Sequence, residues 1–154
     1  MSRLVRVSGN IVLALVVAGA VYAGYVVFRT NRDHADAAAF ISAAVSAMAT
    51  SWDSQELARR AAPEWLSAAE LAGLPAVFSN ISRLGKLKAL QVPTGRVGNG
   101  AYPGTGINGV WAEYTVAGDF DAGPSSFRMI LKRVDDGWQI TGFEVLSNVL
   151  TRVN

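Results

Sequence analysis

The chain has 154 residues and a formal net charge of +2, and it contains no cysteine. The lack of cysteine excludes a disulfide framework, a zinc–thiolate site, a cysteine nucleophile and a lipid-modified cysteine. The basic pI of about 9.2 points toward nucleic acid, but three of the 14 basic residues (Arg3, Arg6 and Arg29) flank one hydrophobic segment. From Thr30 onward, the remaining 11 basic residues face all 12 acidic ones. Phosphate binding needs clustered cations, so this distribution argues against a nucleic-acid partner.

Residues 11–28 form the hydrophobic segment, and they predict a transmembrane helix. The segment begins at Ile11, continues through Leu15 and ends at Val27 and Phe28, with no charged residue and no proline. Its 18 residues at 1.5 Å each would span about 27 Å, which is close to the hydrocarbon thickness of a bilayer. We therefore expect this segment to anchor the chain in the lipid bilayer.

The flanks of the segment predict its orientation. Arg3 and Arg6 precede it without any acidic residue, whereas acidic residues dilute the positive charge on its other side. The positive-inside rule then places residues 1–10 in the cytoplasm and the C-terminal domain outside. We expect the membrane to be a bacterial inner membrane, with the C-terminal domain in the periplasm. A cleaved signal peptide is the alternative, since small residues occur from Ala18 to Ala23, but the apolar run is longer than the apolar core of a usual signal peptide. Both interpretations export the domain.

A linker over residues 29–34 should lead into one domain, residues 35–150, which begins with helices and is followed by a tail at 151–154. Apolar residues recur at helical spacing from Asp36 to Trp52. Ser54 is a plausible N-cap for a short helix, and the S-A-A-E sequence at Ser67 matches a capping box. A further helix is predicted to begin at Pro75 and to end at Gly85.

The rest of the domain predicts antiparallel strands. Strand patterns occupy residues 86–92, 110–120, 127–132 and 138–149, and the glycine-rich stretch 95–109 predicts a long loop between the first two. Asp136-Gly137 is a hairpin signal, and Gly142 suggests a bulge in the last strand. Helices followed by antiparallel strands indicate an α+β fold with helices packed on one face of a curved sheet.

Several segments together carry a family resemblance: the helix end at Leu84-Gly85, the strand Trp111–Val116, and a closing hairpin with the sequence D-D-G-W-Q-I from Asp135 to Ile140. With these features, residues 35–150 resemble the NTF2-like superfamily, also called the cystatin-like or ketosteroid isomerase-like cone. The resemblance implies a sheet wrapped around a helix, often with an apolar pocket at its wide end. It does not imply one activity, because members include isomerases, dehydratases, ligand binders and non-catalytic assembly modules.

Two groups of residues are candidates for binding. An apolar pocket in the cone would be lined by aromatic residues, for which the candidates are Phe78, Trp111, Tyr114 and Phe127. The glycine-rich stretch is a candidate for partner contact, because long ordered loops often carry function, and its representative residues are Tyr102, Gly104 and Gly106.

No catalytic, metal or cofactor site is predicted. His34, the only histidine, is better explained as part of a helix start than as a base or a pH sensor. The letters of G-x-G-x-x-G occur from Gly104 to Gly109, but a strand pattern follows where dinucleotide binding needs a helix. Isomerase-like chemistry would pair an acid with a phenol, and the candidates are Glu113, Asp119 and Glu144 with Tyr102 and Tyr114.

The sequence therefore favours a non-catalytic, membrane-anchored interaction or assembly module, such as an accessory subunit of an inner-membrane complex. Its partners would be other proteins of that complex or a second copy of the chain. The alternative is a cone that binds a small apolar ligand or acts as an isomerase or dehydratase.

Overall fold

A computed structural model describes residues 2–135 and 137–150, with side chains described for all of these except 2–14, 68 and 69. The helices come first: α1 (Ser2–Ser51), α2 (Ser54–Ala58), α3 (Ala68–Ile81) and a 3₁₀ turn (Ser82–Leu84). The strands follow: β1 (Leu87–Leu90), β2 (Thr94–Ala101), β3 (Asn108–Phe120), β4 (Gly123–Val134) and β5 (Gly137–Leu146). The α+β class and the order of helices before antiparallel strands are confirmed.

The chain divides into two compact units, the first ending at Asp33 and the second beginning at His34. In the first unit, large apolar side chains between Leu15 and Phe28 are 42–70% exposed. Within the described residues, no helix meets both the length and the apolarity that crossing a bilayer requires. Residues 11–14 of the predicted anchor, including Ile11, lie outside the residues whose side chains are described.

The second unit has its core between α1 and one face of the sheet. Residues that recur at helical spacing on α1, among them Ile41, Val45 and Met48, are 0–2% exposed. From the sheet, Val116, Phe127 and other alternate residues of β3, β4 and β5 complete the same apolar cluster. The helical period of α1 and the two-residue period of the strands bury these two faces against each other.

The helix ends follow local capping chemistry. The predicted capping box at Ser67 is confirmed, because Ser67 Oγ accepts from Glu70 N and Glu70 Oε2 accepts from Ser67 N at 2.7 Å. The N-cap of α2 is Asp53 and not Ser54, since Asp53 Oδ1 accepts from Gln55 N at 2.9 Å. Pro75 lies inside α3 instead of starting a separate helix. Gly85 adopts a left-handed φ of 77° after the 3₁₀ turn, as expected of a C-cap glycine.

The sheet is antiparallel and is built around β3. The two halves of β3 pair on one side with different strands: β1 pairs with Gly118–Phe120 and β2 pairs with Asn108–Thr115. On its other side β3 pairs with β4, and β4 pairs with β5. The bulge predicted at Gly142 is confirmed by a register shift where Ile130 and Leu131 pair with Gly142 and Ile140.

The prediction of one loop over residues 95–109 was wrong in its first half, which forms β2. Glycine is what allows this strand to pair so closely with β3. A Cβ at Gly95 would lie 2.1 Å from the carbonyl oxygen of Glu113, and a Cβ at Gly98 would lie 2.2 Å from the ring of Trp111. The glycines that suggested a flexible loop therefore make room for an aromatic ring on the neighbouring strand.

Candidate functional site

A cleft of about 460 Å³ lies in the second unit, at the end of the sheet nearest the β4–β5 hairpin. One wall is the loop between β2 and β3, and the opposite wall is the segment Glu64–Trp65. The strands contribute Val110 from β3, Lys132 and Val134 from β4, and Thr141 from β5. Its volume falls in the range of about 300–1,000 Å³ that is typical of ligand pockets.

The first wall is a short loop that is fixed by its own backbone. Tyr102 N donates to Ile107 O at 3.0 Å, and Thr105 Oγ1 donates to Tyr102 O at 3.1 Å. Gly104 and Gly106 have left-handed φ values of 76° and 69°, which glycine adopts without strain. Tyr102 is only 9% exposed. Its ring packs edge-on against the Trp111 ring, with the two ring centroids 4.8 Å apart. Of the three residues predicted for partner contact, Gly106 lines the cleft and Tyr102 holds the loop on the sheet.

The second wall is attached to the edge of β5. Ala62 N donates to Ile140 O and Ile140 N donates to Arg60 O, both at 2.8 Å. Trp65 N donates to Ala62 O at 3.0 Å, which turns the chain toward the cleft. Lys132 Nζ of β4 forms an ion pair with Glu64 Oε1. This ion pair joins the wall to the sheet, and no local pattern predicts it because the two residues are 68 positions apart.

Next to the cleft, the sheet face directed away from the core carries a network of charges centred on Glu113. Its Oε2 accepts from Arg96 Nη2 at 2.8 Å, and its Oε1 accepts from Arg128 Nε at 3.0 Å. Arg128 also donates to Glu144 at 3.5 Å. The hydrogen bonds from Arg128 and then those from Arg96 lower the pKa of the Glu113 carboxyl below its usual value.

Because the pKa of Glu113 is lowered by folding, its contribution to stability is present above the unfolded pKa of about 4.3 and is lost as pH falls through the folded pKa. Glu113→Gln should therefore lower the free energy of unfolding at pH 7 by about 1 kcal/mol, the size expected for a solvent-screened charged hydrogen bond. Urea unfolding at pH 7 and pH 3 measures this, and the deficit should shrink at pH 3. Glu144→Gln, at an exposed carboxylate, is the control and should change little. An equal deficit of Glu113→Gln at both pH values would contradict the assignment.

The four residues predicted for an apolar pocket do not surround one cavity. Phe78 and Phe127 are buried in the core, where each stacks on Phe143 with ring centroids 6.2 and 6.1 Å apart. Tyr114 lies on the same face of the sheet, but Trp111 lies on the opposite face. Two residues three positions apart in a strand must point to opposite faces. The structure thus brings Phe78 and Phe127 together and separates Trp111 from them.

Tyr114 has a polar partner that the sequence did not reveal. Its hydroxyl lies 2.5 Å from His34 Nδ1 and 3.4 Å from the His34 carbonyl oxygen. Burial raises the pKa of the Tyr114 phenol, so the phenol is neutral at pH 7 and is able to donate. Eighty positions separate the two residues, and only the packing of α1 on β3 brings them together.

The acids considered for isomerase-like chemistry lie away from this phenol. Glu113, Asp119 and Glu144 are on the sheet face opposite Tyr114, and Glu113 is held by two arginines. Among the described residues, no group of three or more His, Asp or Glu side chains is arranged to hold a metal ion. The glycine sequence 104–109 leads into β3 and not into a helix, so it lacks the helix N-terminus that dinucleotide binding uses.

Comparison with known proteins found no match: no family model, no curated protein and no solved structure is significantly similar to this chain.

Proposed function

We propose that this chain is a single-pass membrane protein of a bacterial inner membrane, and that its second unit is a non-catalytic interaction module on the periplasmic side. The observation that carries the proposal is the apolar surface of α1 between Leu15 and Phe28. Nine of the 13 large apolar side chains that are exposed in the described residues lie in this stretch. Such a concentration of apolar surface indicates a hydrophobic environment around the helix.

The apolar surface surrounds the helix instead of forming a stripe. At 100° per residue, the exposed side chains of Leu15, Val16, Val17 and Val21 already point in directions that cover more than half of the helix circumference. A partner helix covers one side, whereas lipid covers every side, and a helix that is apolar all round is typical of a membrane span. Lipid is therefore the environment that best fits this segment.

The charges at the two ends of this segment support the orientation. Arg3 and Arg6 are on the N-terminal side with no acidic residue, while Asp33 and Asp36 accompany Arg29 and Arg32 on the other side. A bias of positive charge toward the N-terminal side favours a cytoplasmic N-terminus and an exported second unit.

The cleft supports an interaction role for the second unit. It has walls that are fixed by backbone hydrogen bonds, apolar residues such as Trp65 and Ile107, and a charged pair formed by Glu64 and Lys132. A cleft with fixed walls that combines apolar surface with placed polar groups has the features of a binding site. An NTF2-like cone remains part of this proposal, supported by the helices packed on one face of an antiparallel sheet.

Membrane extraction tests the proposal. The full chain, expressed in bacteria, should sediment with the membranes, should stay there after a wash with alkaline carbonate, and should be released by a mild detergent. Carbonate removes proteins that are bound to the membrane surface but leaves spanning helices in place. Release of the chain by carbonate, or its recovery from the supernatant before any wash, would contradict the anchor.

A further inference from the structure

We propose that the cleft between Glu64–Trp65 and the loop that joins β2 to β3 binds a carboxylate carried by a segment of a partner protein, and that Lys132 is the residue that receives it. In this account, Glu64 occupies the carboxylate position in the free protein and is displaced by the partner. The inference rests on the proposed interaction role of the second unit.

Lys132 is placed to hold an anion within the cleft. It lies on β4, its side chain is only 23% exposed, and it lines the cavity. An ammonium group that lines a cleft forms charge-assisted hydrogen bonds with a carboxylate, as Lys132 does here with Glu64. The cleft therefore has a built-in preference for a carboxylate at the end of the Lys132 side chain.

The anion that now pairs with Lys132 is easily replaced. Glu64 belongs to the second wall and not to the sheet, and its side chain is 62% exposed. An ion pair with one exposed partner contributes little, because water screens it and ordering the side chain opposes it. A carboxylate that enters the cleft with further contacts would win this competition, and Glu64 would return to water at little cost.

The other residues of the cleft favour a peptide over a small anion. Trp65, Ile107, Val110 and Val134 give the cleft apolar surface, and the cavity of about 460 Å³ is much larger than a carboxylate group alone needs. A second cation, Arg133, also lines the cleft; its guanidinium lies 5.1 Å from the Trp138 ring centroid and 3.8 Å from Asp36. An acidic residue with apolar neighbours in an extended segment fits this combination.

Two capped tripeptides test the inference on the full chain in detergent micelles. The first is acetyl-leucyl-aspartyl-valinamide, and the second replaces the aspartate by asparagine. Chemical-shift changes in an NMR titration give both affinities. The aspartate peptide should bind at least about tenfold more tightly and should shift the amides of Thr105, Gly106 and Lys132. Equal affinities, or shifts elsewhere only, would overturn the proposal.

Variants of the ion pair separate binding from structure, because their expected effects have opposite signs. Lys132→Met retains the apolar stem and removes the charge, so it should abolish the preference for aspartate. Lys132→Arg retains the charge and should retain the preference. Glu64→Gln removes the competing carboxylate and should increase the affinity several-fold. Arg96→Met, which removes a charge elsewhere on the same sheet, is the matched control and should change neither affinity.

If the pair only fastened the wall to the sheet, Glu64→Gln and Lys132→Met would both weaken binding, and that result would overturn the proposal. Competition by sodium acetate distinguishes a peptide site from a site for small carboxylates: acetate that displaces the peptide at equal concentration would also overturn it. The titration does not depend on the membrane. If carbonate releases the chain from the membrane but the aspartate peptide still binds as expected, only the anchor is contradicted. If the chain stays in the membrane but the two peptides bind with equal affinity, only the carboxylate site is contradicted.

Discussion

Replacing Val17 and Val21 together by Asp should release the chain from the membrane into the soluble fraction. Both side chains are among the exposed apolar residues of α1, and both lie near the middle of residues 11–28. Each aspartate near the centre of a membrane helix opposes insertion by about 2.5–3.5 kcal/mol. Two such residues together should therefore prevent stable insertion.

Quantitative immunoblotting of the membrane and soluble fractions measures this effect. Val17→Leu/Val21→Leu preserves the apolar character and should remain in the membrane fraction. Val92→Asp is the control outside the segment, because Val92 is 82% exposed in the second unit, and it should also remain with the membrane. A double aspartate variant that stays in the membrane fraction as wild type does would show that these residues do not anchor the chain.

Phe127→Ala should lower the free energy of unfolding by about 3–5 kcal/mol, a large part of the stability of a domain of this size. Phe127 is 1% exposed, and its ring lies between those of Phe120 and Phe143, with centroid distances of 5.7 and 6.1 Å. Truncation removes apolar burial and leaves a cavity that the surrounding strands cannot close. We expect the variant to be partly unfolded at 37 °C.

Chemical denaturation followed by tryptophan fluorescence measures the loss in the detergent-solubilised chain. Leu146→Ala removes an exposed apolar side chain at the end of β5 and should change the midpoint little. The measurement also bears on the alternative of an apolar ligand pocket around Phe127. A loss below about 1 kcal/mol would indicate a loosely packed site with space for a ligand, and not the filled core that the ring contacts describe.

Where a local pattern decides the structure, the sequence was enough to predict it. The Ser67–Glu70 capping box depends on four consecutive residues, and the bulge at Gly142 depends on one glycine in a strand. The spacing of Ile41, Val45 and Met48 predicted the buried face of α1. These features follow from helix and strand geometry, and neighbouring residues determine them.

Where distant segments meet, local patterns were insufficient. Glycine in β2 looked like loop chemistry, and only the Trp111 ring on β3 explains why Gly98 has no side chain there. The pairing of His34 with Tyr114 depends on tertiary packing across 80 positions. The grouping of Trp111 with Tyr114 in one pocket failed for a different reason, because the two-residue period of a strand already separates them. The cleft that Lys132 lines could not be predicted locally either, because it forms only where the Glu64–Trp65 segment, the loop between β2 and β3 and the strands of the sheet meet.

The most direct test of the central claim, a membrane-anchored chain with its second unit outside the cytoplasm, is the labelling of single cysteines in intact cells. The chain has no cysteine, so each introduced thiol reports on its own position. A maleimide that crosses the outer membrane but not the inner one should label Ser79→Cys, whose side chain is exposed on α3. Ser8→Cys should be labelled only after the inner membrane is permeabilised. Labelling of Ser8→Cys in intact cells, or protection of Ser79→Cys until permeabilisation, would contradict the proposed topology.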